Sequence, residues 1–83
     1  MKYLKLERVK RDLTQQYIGD YLGIRREKYS KIELGYLNML DVLSVKEVRK
    51  LASLYNISFD EFVRNYEKSL GKDVKDLVNS GLF

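Results

Sequence analysis

Cysteine, histidine, proline and tryptophan are all absent from this 83-residue chain. Without cysteine there is no disulfide framework, thiolate metal site or cysteine nucleophile, and without histidine the usual general base and the commonest zinc ligand are missing too. What is left for catalysis is isolated serine, lysine and carboxylate groups with no helper base, so neither an enzyme nor a cofactor is expected. No uninterrupted apolar run exceeds two residues. A signal-peptide core or a membrane span is therefore not expected, and the cytoplasm is the expected compartment. Glycine occurs only at 19, 23, 35, 71 and 81, and nothing resembles a linker or repeat. The length suits one domain, which at this size buries roughly 60% of its unfolded surface.

What is present is charge, and its placement says more than its amount. Charged residues make up 34% and hydrophobic ones 45%, the balance of a globular chain. Residues 1–35 carry nine basic side chains against five acidic ones and residues 36–83 carry seven of each, so the whole net charge of +4 lies in the first part. A chain that turns one end toward a polyanion has this asymmetry, and so does a merely solvated surface.

Apolar residues recur at three and four rather than two, so the chain reads as all-α, with the glycines as punctuation. A first helix is predicted over about Tyr3 to Arg11, with Leu6 and Val9 inward and Leu13 beyond its end. Thr14 is an N-cap for a second helix that buries Ile18 and Leu22 and stops at Gly23. A third covers about Arg26 to Leu34, burying Tyr29 and Ile32 and ending at Gly35. Ser44 and Glu47 have the spacing of a capping box and open a fourth helix with Val45, Val48, Leu51, Ala52 and Tyr55 inward. Ser58 and Glu61 repeat that spacing before a fifth helix, with Phe59, Phe62, Val63, Tyr66 and Leu70 on one face and Gly71 as its stop. A short last helix is predicted over about Asp73 to Asn79. Between the third and fourth helices, six of the eight residues from Tyr36 to Leu43 are apolar. A solvated loop would not be so composed, so this segment must bury against something.

Two helices joined by a glycine turn, the second one basic, have the spacing of a helix-turn-helix. Leu13-Thr14-Gln15-Gln16, Ile18, Leu22-Gly23-Ile24, Tyr29-Ser30-Lys31-Ile32-Glu33 and Gly35 together resemble the Cro and lambda-repressor class, the xenobiotic-response-element family of bacterial and phage regulators. Glu7-Arg8-Val9 upstream extends the likeness, as do Leu51-Ala52 and Asn56-Ile57-Ser58-Phe59-Asp60-Glu61 downstream, so that it covers about residues 4–64. The resemblance implies a compact five-helix lambda-repressor-like DNA-binding domain, here with a short extra C-terminal helix, whose third helix enters the major groove while the second lies across the backbone. The expected organisation is a DNA-binding domain over residues 1–70, its helix-turn-helix at 14–35, followed by a helical extension over 71–83.

On that likeness Arg26, Glu27, Ser30 and Lys31 are the candidate base readers. Arginine and lysine suit guanine O6 and N7, whereas glutamate accepts only from cytosine N4. Gln15, Gln16, Arg25, Lys28 and Asn38 are the candidate phosphate contacts. Glu27 and Lys31 also have the spacing of a surface helix pair, and Lys28 that of a solvated residue. Arg8 and Glu33 match family positions that pair between the first and third helices. Arg25 departs from the family, which usually places a hydroxyl cap there; a cation at the positive end of a helix dipole is favourable only beside an anion such as a DNA phosphate. Gly19 replaces the usual alanine, and the proline expected after the third helix is missing.

These residues point to a sequence-specific DNA-binding regulator of repressor type, with a palindromic operator as its target and a homodimer as its working form. The dimer is expected through Leu77, Leu82 and Phe83, with Tyr36 to Leu43 as the other candidate segment. The alternative is a protein-interaction module of the same fold that binds a toxin, an inhibitor or another repressor subunit.

Overall fold

The computed structural model describes residues 2–79, with side chains for residues 2–70. Among them the secondary structure is entirely helical: α1 (Tyr3–Val9), α2 (Gln15–Leu22), α3 (Arg26–Leu34), α4 (Met39–Val42), α5 (Val45–Leu54) and α6 (Phe59–Asn79). Side-chain caps fix four of the starts, that of α4 by Asn38 and three by hydroxyls. The Thr14 hydroxyl accepts from the Tyr17 amide at 3.0 Å. At α5 both halves of the capping box form, Ser44 Oγ accepting from the Glu47 amide at 3.1 Å and Glu47 Oε1 from the Ser44 amide at 2.8 Å. At Ser58 the hydroxyl half is made, to the Glu61 amide at 3.2 Å. Gly23 and Gly35 end α2 and α3 at φ of 75° and 91°, the left-handed conformation in which a side chain would be strained.

The core takes Ile18 and Leu22 from α2, Tyr29 and Ile32 from α3, Val48, Leu51 and Ala52 from α5 with Tyr55 at its C-cap, and Phe62 and Tyr66 from α6. Helix α2 packs chiefly on α3, and α5 on α2 and α6, so the helix-turn-helix rests on a scaffold of later helices. The apolar segment after α3 partly closes onto its own domain. Met39 is fully buried and its amide donates to the Tyr66 hydroxyl at 2.9 Å, Leu43 is buried, and the turn α4 lies between them. Tyr36 and Leu40 remain exposed.

Several expected inner positions differ. Leu6 and Val9 face solvent, at 43% and 42% exposure, while Leu4 and Glu7 are buried in their place. The rotation of α1 follows its polar partners: Tyr3 packs on Phe62 with ring centroids 5.9 Å apart, and Glu7, Arg8 and Arg11 all turn inward to ion pairs. Val45 is exposed, while Leu43, just before the Ser44 cap, is buried. Leu70 is exposed as well, one turn beyond Tyr66, the last buried residue of α6 among those whose side chains are described. Gly71 does not stop its helix; α6 runs through to Asn79, so the separate last helix is the continuation of the fifth. A glycine in a helix interior costs about 1 kcal/mol, too little to end a helix by itself.

The rotation of α1 is directly testable. Leu4→Ala should cost about 2 to 4 kcal/mol, as expected of a buried leucine, and Leu6→Ala no more than about 0.5 kcal/mol. Urea unfolding of the two variants measures this, and equal losses would contradict the burial pattern.

Candidate nucleic-acid interface

Helix α3 is divided lengthwise. Tyr29, Ile32 and Glu33 are buried, whereas Arg25 at its N-cap and Arg26, Glu27, Lys28 and Lys31 are exposed, with Ser30 half-buried. Arg25 makes no side-chain cap, so the first amides of α3 keep their donors and three cationic side chains gather within its first turn. Glu27 lies 3.9 Å from Arg26, an exposed contact, rather than pairing with Lys31. Gln16 donates to Asp20 at 2.9 Å on the outer face of α2. The open cleft at the α2–α3 turn is lined by Gln16, Asp20, Arg25, Arg26 and Glu27. Among the described residues no group of three or more carboxylates is placed to hold a metal ion.

The turn itself is tight. A β-carbon on Gly19 would lie 3.0 Å from the Ile24 carbonyl oxygen and 3.4 Å from Arg26 Cα, so the missing side chain lets α2 and the start of α3 approach closely. From the other side, Lys50 Nζ donates to the Tyr21 carbonyl oxygen at 2.9 Å, and the Tyr21 hydroxyl donates to the Lys50 carbonyl oxygen at 3.2 Å. That carbonyl is one of those a helix end leaves unsatisfied, so Lys50 of α5 caps α2 at the turn.

Beneath α3 lies a buried ionic group. Arg8 grips Glu33 with two parallel bonds, Nε to Oε2 and Nη2 to Oε1, both 2.9 Å, and its Nη1 donates to the Leu13 carbonyl oxygen at 2.6 Å. Gln15 Nε2 adds a longer contact to Glu33 Oε1 at 3.3 Å, so this residue faces inward with one of its two amide hydrogens. Burial opposes the ionised Glu33, but the bonds from Arg8, with the Tyr29 hydroxyl and Gln15 amide nearby, outweigh it and hold its pKa below the usual value. The Tyr29 and Tyr55 hydroxyls are buried without a hydrogen bond of good geometry. Desolvation pushes the Tyr55 phenol up to about 12 and the Tyr29 phenol higher still, so both remain protonated. A second ionic group joins α1 to α5: Arg11 bonds Glu7 at 3.0 Å and the Tyr55 carbonyl oxygen at 2.6 Å, and lies over the Tyr55 ring at 4.6 Å.

The structure thus brings Arg25, Arg26 and Glu27 together with Gln16 at one cleft, and leaves Lys28 and Lys31 exposed further along α3. Asn38 stands apart as the cap of α4, its Oδ1 accepting from the Leu40 amide at 2.8 Å. Leu77, Leu82 and Phe83 lie outside the residues whose side chains are described. Sequence reasoning missed Glu7, Arg11 and Lys50. The spacing of Glu7 and Arg11 would have revealed their pair, but nothing local joins Lys50 to Tyr21.

A capped helix, a left-handed glycine turn and a second helix with a buried inner side and a cationic outer one make a DNA-binding helix-turn-helix. The helix-turn-helix family model matches residues 4–62, and the chain belongs to that family, the Cro and lambda-repressor class of DNA-binding regulators. No curated protein and no solved structure matches it. No helix among the described residues is long and apolar enough to cross a membrane.

The buried pair predicts acid sensitivity. A carboxylate whose folded pKa is depressed stabilises the fold fully above its ordinary pKa, and that stability is lost as pH falls through the folded value. Glu33 is such a group, and Glu7 is another: burial opposes its charge, while hydrogen bonds from Lys10 and Arg11 prevail. Glu33→Gln should therefore lower stability at pH 7, by up to about 3 to 5 kcal/mol for a broken buried pair, and flatten the decline expected of the wild type as pH falls through the depressed pKa of Glu33. Thermal melts from pH 2.5 to 7 measure both effects; parallel curves for variant and wild type would refute the role of Glu33.

Proposed function

We propose that the protein is a sequence-specific transcriptional repressor that holds a palindromic operator as a homodimer, with one α3 in each of two successive major grooves. The observation that carries this reading is the division of α3, whose buried side is locked to α1 by the Arg8 fork while Glu27 and Lys31 are exposed on the opposite side and Arg26 is exposed at its first turn. Arg26 and Lys31 read guanine O6 and N7, and Glu27 and Ser30 add contacts to neighbouring base edges. Arg25, Lys28, Gln15, Gln16 and Asn38 meet phosphates through a charge or an amide N–H and so set register rather than sequence. Repression follows from occupancy of the operator.

A single recognition helix reads only a few base pairs, so two copies about one DNA turn apart are needed for a useful degree of specificity. The basic first 35 residues would repel their own kind. The contact between copies is therefore drawn from the second part of the chain, where net charge is zero and apolar residues are left over. Leu77, Leu82 and Phe83 supply it, and the exposed Tyr36 and Leu40 are the competing surface.

Two measurements test this. Selection from a random duplex library should return a palindrome whose affinity falls by orders of magnitude between ~50 and ~200 mM salt. Lys31→Ala should cost about 1 to 3 kcal/mol at one base pair, while Lys28→Ala weakens all sequences alike; a flat salt response or uniform loss for Lys31→Ala would refute the assignment. Light scattering of a chain lacking Ser80 to Phe83 should show monomers with weakened operator binding, and a truncated chain that stays dimeric and binds fully would move the interface elsewhere.

A further inference from the structure

One apolar side chain stands on the outer face of α3. Leu34 is 54% exposed, whereas the other apolar residues of that helix, Tyr29 and Ile32, are fully or almost fully buried. A lone exposed leucine is ordinary on a protein surface. Its register is what matters here. At 3.6 residues per turn, Glu27, Lys31 and Leu34 fall within about 60° of one another around the helix axis, opposite the buried side of Tyr29, Ile32 and Glu33. Leu34 thus continues the line of Glu27 and Lys31, about 4.5 Å beyond Lys31 along the axis.

That end of the helix is also held in place. The Gly35 amide donates to the Ile32 carbonyl oxygen at 3.2 Å, and the Tyr36 amide returns to the Lys31 carbonyl oxygen at 2.9 Å. Lys2 Nζ lies over Gly35, 3.2 Å from where a β-carbon would be. The Leu34 side chain is therefore presented on a fixed backbone, in continuity with the charged line.

We propose that Leu34 is a specificity-determining residue that packs on the 5-methyl group of a thymine in the major groove, next to the base pair read by Lys31. The thymine methyl is the apolar feature that the major groove offers to a side chain of this kind, and an isobutyl group has no donor or acceptor with which to read anything else. The spacing agrees, since 4.5 Å along the helix compares with about 3.4 Å between successive base pairs. This inference rests on α3 being the reading helix, and the experiment separates the two.

Duplexes selected by the wild-type protein are remade with each thymine in turn replaced by uracil, which removes the methyl and nothing else, and affinities are measured for wild type, Leu34→Ala, Leu34→Gln and Lys31→Ala. Loss of one buried methyl should weaken wild-type binding about fourfold at one thymine per half-site. Both Leu34 variants should be indifferent to the methyl at that position, while Lys31→Ala keeps the response and loses preference at the neighbouring base pair. Unchanged thermal melting of the Leu34 variants, expected of an exposed position, assigns the effect to binding. Equal thymine-to-uracil ratios in wild type and Leu34→Ala at every position would overturn the proposal while leaving α3 as the reading helix. A selected consensus that Lys31→Ala does not alter would instead remove α3 as the reader, and the role of Leu34 with it.

Discussion

The Arg8–Glu33 fork is the contact on which the geometry of the whole recognition surface depends. Its guanidinium reaches α3 through Glu33 and the entry to α2 through the Leu13 carbonyl oxygen, and Gln15 of α2 leans on the same carboxylate. Three helices therefore share one ion pair. Such a pair contributes little net stability, because desolvating both charges offsets most of their attraction, but it tolerates few geometries. Apolar contacts between Ile18, Leu22, Tyr29 and Ile32 would allow α3 to roll or slide by small amounts. Two parallel bonds of 2.9 Å do not.

That constraint explains why α3 can be so poor a helix on its own terms. It has nine residues, carries no side-chain cap, begins with a cation where the helix dipole is positive, and buries only two apolar side chains. An isolated helix of that length would be marginal even with good propensity. Its conformation is imposed from below, by the fork and by Tyr29 and Ile32, and from its ends, by the tight turn at Gly19 and the left-handed Gly35. The exposed side is then released from any structural duty. Arg25, Arg26 and Lys28 are all exposed there.

The sequence made the backbone of this arrangement legible where local chemistry decides the outcome. Thr14, Ser44, Gly23 and Gly35 mark helix ends because a hydroxyl cap or a positive φ is a one-residue requirement. Tyr29 and Ile32 were readable from periodicity. The rotation of α1 was not. Leu6 and Val9 fit an apolar stripe, yet Glu7, Arg8 and Arg11 turn the helix the other way, because partners 25 and 44 residues distant fix the side it must present. Gly71 misled for the opposite reason: a glycine is a weak signal once α6 is long enough to absorb its cost. The exposed basic residues of the site were all readable as exposed. The inward lean of Gln15 and the capping of the turn by Lys50 were not, since each depends on a distant residue that only the fold brings near.

Stability and recognition in this chain consequently answer to different conditions. The buried fork lies where salt screens little, and its acid limb is set by carboxylates whose pKa values are depressed. The outer cations lie in water, where affinity for a polyanion declines with every increment of salt. Raising ionic strength therefore weakens the hold on DNA without breaking the buried fork, whereas lowering pH destabilises the fold through its buried carboxylates. With no histidine in the chain, no side chain has an ordinary pKa between these regimes. Release from DNA by salt and loss of the fold in acid are thus separate events, the first acting on exposed cations and the second on the buried Glu33 and Glu7.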